Sequence, residues 1–325
     1  MVSRRRFLTG CAASLAVPTV ATAQQTEKIY RIAFLGGASP SGYAPLVDAL
    51  RLGLRQHGYV EGKNITIEYR WAEGEYGRLR ALAGELTRLR PDIIITQGTP
   101  AALAAKETTA TIPIVMAIVG DPVESGVVAS LARPGRNVTG SSFVMGDLNA
   151  KRLELMKTVI PGLQRVGVLL NPDNAMMVTV LRGMEERGHA LNVKVQAVYV
   201  RSLDELDAAL GLAKRQTEAL TVPDEGLFIA NARRIADLAM KSRLPSIGFR
   251  EYCESGGLLA YGVDFTNIWR QSAALVDKIL KGAKPANLPI QQATPFEVMI
   301  NLRTANAIGL SIPTSIRLRA DHVIE

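Results

Sequence analysis

Short apolar runs alternate along this chain with longer stretches whose apolar residues recur at helical spacing. Ile29-Tyr30-Arg31-Ile32-Ala33-Phe34-Leu35 closes on Gly36-Gly37 and reads as a buried parallel strand with the turn that leaves it. Leu46, Val47, Leu50 and Leu54 then fall on one face of a helix over Leu46 to His57, with Gly58 as its C-cap. Ile65 to Arg70 alternates as a strand, Tyr76 to Arg90 is an amphipathic helix stopped by Pro91, and Asp92 to Thr96 is an apolar strand ending at Gln97-Gly98-Thr99-Pro100. A helix over Pro100 to Thr108 and a strand over Ile114 to Val119, ending at Gly120-Asp121-Pro122, complete a first set. Strands alternating with helices at this spacing predict a parallel α/β sheet.

Arg133-Pro134-Gly135-Arg136-Asn137-Val138-Thr139-Gly140 reads as a turn-rich segment, and the pattern restarts after it. Helices are predicted over Lys151 to Val159, onward to Arg187-Gly188, over Leu203 to Arg215 and over Ile229 to Lys241. The intervening strands are Arg165 to Leu170, Val193 to Val200, Ala219 to Val222, Pro245 to Phe249 and Gly257 to Tyr261. Two successive α/β halves predict two Rossmann-like lobes, and the length exceeds what one core usually serves. The tail adds a helix over Asn267 to Leu280, a strand over Phe296 to Ile300 and a helix over Leu302 to Ile308 capped by Gly309. Chains of bilobed folds cross between lobes more than once. Lobe 1 is therefore expected at 29–140 plus roughly 265–285, and lobe 2 at 141–264 plus roughly 286–325.

The first residues follow a different grammar. Arg4, Arg5 and Arg6 precede an apolar stretch from Phe7 to Val20 and the small-residue site Ala21-Thr22-Ala23, which together predict a signal peptide over 1–23 cleaved after about Ala23. The stretch is too short to span a bilayer as a helix. Ser3-Arg4-Arg5-Arg6-Phe7-Leu8 resembles the twin-arginine export motif, with an ordinary Sec signal as the alternative. Leu8-Thr9-Gly10-Cys11 resembles a lipobox, yet most of the apolar core follows Cys11, so cleavage after Ala23 fits better. Without residues 1–23 the formal charge falls from +8 to +5, since three arginines and no acidic residues leave. The remaining basic residues are dispersed among acidic ones, which argues against a nucleic-acid partner. Cys253 is then the sole cysteine; no intramolecular disulfide is possible, and it reads as a small buried apolar residue.

In open parallel sheets ligands bind outside the carboxyl ends of the strands, where helix N-termini favour anions. The polar residues at those ends are Ser39, Ser41, Gln97, Thr99 and Asp121 in the first half, and Asn171, Asp173, Asn174, Arg201, Ser202, Asp224, Arg250, Glu251, Tyr261 and Asp264 in the second. Each has an ordinary alternative as the N-cap of the following helix, so only the set is informative. Gly36-Gly37-Ala38-Ser39-Pro40-Ser41-Gly42 matches neither the dinucleotide nor the P-loop fingerprint, and no cofactor is expected. His57, His189 and His322 lack metal-ligand spacing, and no nucleophile elbow occurs.

Val119-Gly120-Asp121-Pro122-Val123, the run from Ala129 to Gly140, Lys151-Arg152-Leu153-Glu154-Leu155, and the run from Lys281 to Pro289 closely resemble the ABC-transporter substrate-binding family that includes tryptophan- and tyrosine-type binding proteins. The likeness covers essentially all of 29–325. It implies a type I periplasmic-binding fold, two lobes joined by three crossing strands that close on ligand by a hinge. It also implies that Gly120-Asp121-Pro122 is a pocket element, with Asp121 contacting a cationic group, and that Tyr261-Gly262-Val263-Asp264 sits at the lobe junction. Many members have a Pro-Asp-Pro-Leu-Phe-like loop where this chain reads Val222-Pro223-Asp224-Glu225-Gly226-Leu227-Phe228, so the ligand is not to be copied from a relative.

The expectation is an exported periplasmic protein that carries a small polar ligand, an amino acid or aromatic compound, to an ABC permease in the inner membrane. It is expected to be a monomer and not an enzyme. A carboxylate of the ligand would lie on N–H groups and on Ser39, Ser41 or Thr99, an ammonium on Asp121, and Tyr261 or Phe228 would stack on its side chain. The alternative is a periplasmic enzyme on the same doubly wound architecture, disfavoured by the missing nucleophile and base. A transcription regulator of related fold is a third reading, opposed by the export signal and the lack of a helix-turn-helix before the first strand.

Overall fold

The computed structural model describes residues 28–325. The expected signal peptide and Cys11 lie outside the described residues.

The first half builds β1 (Tyr30–Gly36), α1 (Pro40–Gln56), β2 (Ile65–Trp71), α2 (Leu79–Arg88), β3 (Ile93–Gln97), α3 (Gly98–Thr108), β4 (Ile114–Gly120) and β5 (Val138–Phe143). Then follow α4 (Met145–Val159), β6 (Arg165–Leu170), α5 (Met176–Leu191), β7 (Lys194–Tyr199), α6 (Leu206–Gln216), β8 (Ala219–Thr221), α7 (Gly226–Ala230), α8 (Ala232–Lys241), β9 (Ser246–Gly248), α9 (Arg250–Glu254) and β10 (Leu259–Gly262). The last part is α10 (Phe265–Leu280), β11 (Gln291–Gln292), β12 (Glu297–Asn301), α11 (Leu302–Ile308), α12 (Thr314–Arg317) and β13 (His322–Ile324).

These strands form two sheets, ordered β11-β5-β4-β3-β1-β2 and β13-β12-β10-β9-β8-β6-β7. Every pairing is parallel except β10 with β12. The central strands β3 and β4 are buried along their whole length, as runs of Ile and Val covered by helices on both faces require. The chain crosses between sheets three times: from β5 to α4 at 143–145, from β10 to α10 at 262–265, and from β11 to β12 at 292–297. The molecule is thus two Rossmann-like lobes with hinge strands, the architecture the resemblance implied.

Several elements differ from the periodicity. α1 begins at Pro40, six residues before the apolar stripe, because the Ser39 hydroxyl accepts from the Gly42 N–H at 3.3 Å and Pro40 suits a first helical turn. The segment read as turn-rich runs into β5, whose Gly and Ser composition hides a wholly buried strand; the Thr139 hydroxyl is satisfied by the Leu288 carbonyl at 2.8 Å. The helix expected from Ile229 is broken at Asn231, whose side chain donates to the Leu227 carbonyl at 2.8 Å and ends α7. Residues from about 286 onward are expected in lobe 2, yet Gln291 and Gln292 pair with Ser141 and Ser142 at the edge of the first sheet. α10 returns to lobe 1 and packs along α1 and over β4.

Candidate functional site

Both sheets carry the strand order 2-1-3-4-5 in their own numbering, so each has a switch point outside the carboxyl ends of its first and third strands. The carboxyl ends of β1, β3 and β4 face those of β6 and β8 across a narrow cavity lined by residues of both lobes, the place where open α/β sheets bind ligands.

The lobe 1 wall is neutral and aromatic. Gln97, at the end of β3, is held at both ends of its amide: its Oε1 accepts from the Gly37 N–H at 2.9 Å and its Nε2 donates to the Tyr43 hydroxyl at 2.8 Å. Gly98, Thr99 and Pro100 start α3 against the cavity, and no side chain caps that helix, leaving first-turn N–H groups free for an anion. The Thr99 hydroxyl donates to the Gly120 carbonyl at 3.3 Å. Tyr43, Phe143, Phe265 and Trp269 supply aromatic surface around the cavity. Burial, and then the carboxylate of Glu225, raise the pKa of the Tyr43 and Tyr76 phenols well above the usual value, so both stay protonated donors.

Lobe 2 holds two neighbouring carboxylates in opposite settings, Asp224 on the cavity wall and Glu225 just behind it against the lining Tyr76. Asp224 is gripped by Arg152 of α4: Nη1 donates to Oδ2 at 2.5 Å and Nη2 to Oδ1 at 3.1 Å, with both side chains fully buried. Arg152 Nε donates to the Tyr261 carbonyl at 2.9 Å, so this ion pair ties α4, β10 and the β8 loop together. Glu225 is equally buried, and its hydrogen-bond partners are the Tyr76 hydroxyl, Asn171 at 3.5 Å and the Leu227 N–H at 2.8 Å, none of them a cation. Desolvation raises its pKa above the ordinary carboxylate value.

The lobes touch across this cavity. The Tyr76 hydroxyl of lobe 1 donates to the Glu225 carboxylate of lobe 2. A Cβ on Gly42 would lie 2.6 Å from the Ala230 carbonyl, and one on Gly226 would lie 2.9 Å from the Tyr76 hydroxyl, so glycine at both places permits the approach. At the rim, Glu124 of lobe 1 accepts from the Thr179 hydroxyl of lobe 2 at 3.0 Å and faces Arg182 at 3.6 Å. The conformation is closed.

Comparison with known proteins follows this geometry. The family model for the ABC transporter substrate binding protein matches residues 32–324. The chain belongs to that family. It is 28% identical over 284 residues to the tyrosine-binding protein of Clostridioides difficile, covering 86% of this chain and 80% of that one. A conserved domain protein from Vibrio cholerae superposes with a TM-score of 0.84 at 26% identity, over 91% of this chain and 100% of that one. The ABC domain from Streptococcus pneumonia in complex with L-Trp gives 0.81 at 24% identity, over 90% and 100%. The protein is a substrate-binding protein of ABC transporters, a family of solute binders and not of enzymes. Among the described residues no helix is long and apolar enough to cross a membrane.

In this substrate-binding protein Gln97, Thr99, Asn174 and Asp224 line the cavity, and Asn171 lies behind the wall against Glu225. The others are dispersed. Ser39 caps α1 and Ser41 is exposed. The Asp121 carboxylate accepts from the Met145 N–H at 3.0 Å, so it caps α4 at the first crossing; burial raises its pKa. Phe228 is packed in the core. Tyr261 stacks on Phe296 with ring centroids 5.7 Å apart, and Asp264 caps α10 while facing Arg250 at 3.4 Å, which places both in the hinge. Arg250 also bridges Glu297 at 2.7 Å, joining the second and third crossings. The polar strand-end rule passed over Glu225 for Asp224. It had no means of finding Tyr43, Tyr76 and Trp269, which lie within helical turns, or Arg152, whose partner is far along the chain.

Proposed function

We propose that the protein captures an α-amino acid with an aromatic or apolar side chain and delivers it to an ABC permease in the inner membrane. Glu225 carries this reading. A buried carboxylate set just behind the cavity wall, between the lining Asp224 and Gly226 and bonded to the lining Tyr76, is costly without a cation of its own unless the ligand supplies one. The ligand ammonium pairs with Glu225, its carboxylate lies on the free N–H groups at the start of α3, and its side chain packs on Tyr43, Phe143 and Phe265. The tyrosine- and tryptophan-binding relatives support the class. Because the two ends of such a ligand are held by different lobes, binding favours the closed state.

The protein works outside the cytoplasm as a monomer, exported by a signal peptide over 1–23. Arg4 to Arg6, the apolar run after them and the small-residue site Ala21-Thr22-Ala23 support the export.

Titration calorimetry on protein stripped of ligand by unfolding tests the proposal with α-amino acids against aromatic acids that lack an amine. Saturable binding of an amino acid, lost in Glu225→Gln, is the expected result. Preference for the amine-free acids overturns the ligand class, and turnover of any ligand would sink the carrier reading in favour of an enzyme.

A further inference from the structure

The fully buried Trp269 lines the ligand cavity from α10, and among the described residues its indole N–H has no hydrogen-bond partner. A buried indole nearly always donates to something, since an unmade bond in the interior forfeits the full desolvation of the group. Polar side chains of the cavity wall are already engaged: Gln97 with Gly37 and Tyr43, Tyr76 with Glu225, and Thr99 with Gly120. The ring itself is fixed, tilted against Phe34 at 5.9 Å and Tyr43 at 5.7 Å between centroids. A fixed, buried and unpaired donor in an aromatic pocket suits an oxygen acceptor carried on an apolar ligand side chain.

We infer that Trp269 is a specificity-determining residue that donates its indole N–H to a hydroxyl oxygen on the ligand's aromatic side chain, selecting hydroxylated aromatic ligands over their deoxy analogues. The inference rests on the cavity being the ligand site and refines the reading above. The ammonium end is held by Glu225 and the hydroxyl end by Trp269, so the two can be tested separately.

Calorimetry compares two ligand pairs on wild type and Trp269→Phe: L-tyrosine with L-phenylalanine, and 3-(4-hydroxyphenyl)propionate with 3-phenylpropionate. In wild type the hydroxylated member of at least one pair binds about tenfold or more tightly. In Trp269→Phe that ratio falls to near one, with the deoxy ligand changed by less than about threefold. A ratio that survives the substitution, a wild-type preference for the deoxy member, or no binding of either pair overturns the inference. If only the amine-free pair binds, the Glu225 reading fails while the Trp269 ratio still decides this one. Should Trp269→Phe not fold, the wild-type indole resonances decide. The chain holds two tryptophans, and Trp71→Phe assigns Trp269. A downfield shift of the Trp269 indole proton with the hydroxylated ligand, absent with its deoxy analogue, is expected; equal shifts with both overturn the inference.

Discussion

The two walls of the cleft present different chemistry to the cavity between them. Lobe 1 offers aromatic rings, a fixed amide and an uncapped helix start, and carries no charged side chain on the cavity; lobe 2 offers the buried carboxylate of Asp224 on the cavity and that of Glu225 just behind it. Within lobe 2 the contrast sharpens. Asp224 is neutralised by Arg152 and serves the fold, whereas Glu225, one residue on, has only neutral partners and is free to meet a cation. Neighbours in sequence with equal burial thus divide structure from binding, and the presence of one guanidinium makes the division.

Breaking the Arg152 pair tests the structural half and is the largest effect expected. Arg152→Ala leaves Asp224 buried and unpaired and costs about 3–5 kcal/mol of folding stability, read by urea unfolding. Adding Asp224→Asn to that variant recovers part of the loss; no recovery would show that the packing of Arg152 matters more than its charge. Glu225→Gln keeps the acceptor for the Leu227 N–H but removes the charge, and ligand affinity falls about 100-fold with little change in melting temperature.

The same contrast predicts a pH dependence. Burial raises the Glu225 pKa, so as pH falls through it the carboxyl takes a proton and loses its attraction for a cation. Affinity for an amino acid therefore rises with pH across that range, by up to about tenfold per unit, then levels off. Glu225→Gln gives a flat profile, and a sloping one would assign the dependence elsewhere.

Smaller effects concern groups outside the cavity. The Glu251 carboxyl accepts from the Phe265 N–H at 3.1 Å in the hinge, and its second oxygen has no partner. Burial, with Glu254, Asp264 and Asp224 nearby, pushes its pKa from 4.5 to about 8. The folded state binds that proton more tightly, so the stabilisation is complete below about pH 4.5 and is lost as pH rises to about 8. Glu251→Gln escapes the loss and melts about 5 °C higher than wild type at pH 9, with no gain at pH 4. The rim contact of Glu124 is exposed, so Glu124→Ala weakens ligand binding by only about two- to fivefold, through faster release. A larger effect would place part of the closure energy at the rim.

The apolar periods of the sequence determined the two α/β lobes, because a buried parallel strand must be a continuous apolar run and its covering helix must carry a stripe. The same rule lost β5, since a buried strand of Val-Thr-Gly-Ser-Ser-Phe satisfies its polar groups through hydrogen bonds and not through apolar side chains. At the site, strand ends were legible as places, and Gln97, Thr99 and Asp224 do line the cavity. What each residue does there was not. Asp121 turned to cap α4, and Tyr261 and Asp264 turned to the hinge, because a polar side chain at a strand end serves whichever backbone N–H or charge folding brings to it. Only the tertiary structure placed Arg152 beside Asp224, left Glu225 without a cation and set Tyr76 and Trp269 at the cavity, since charge neutralisation and desolvation depend on contacts between residues remote in sequence.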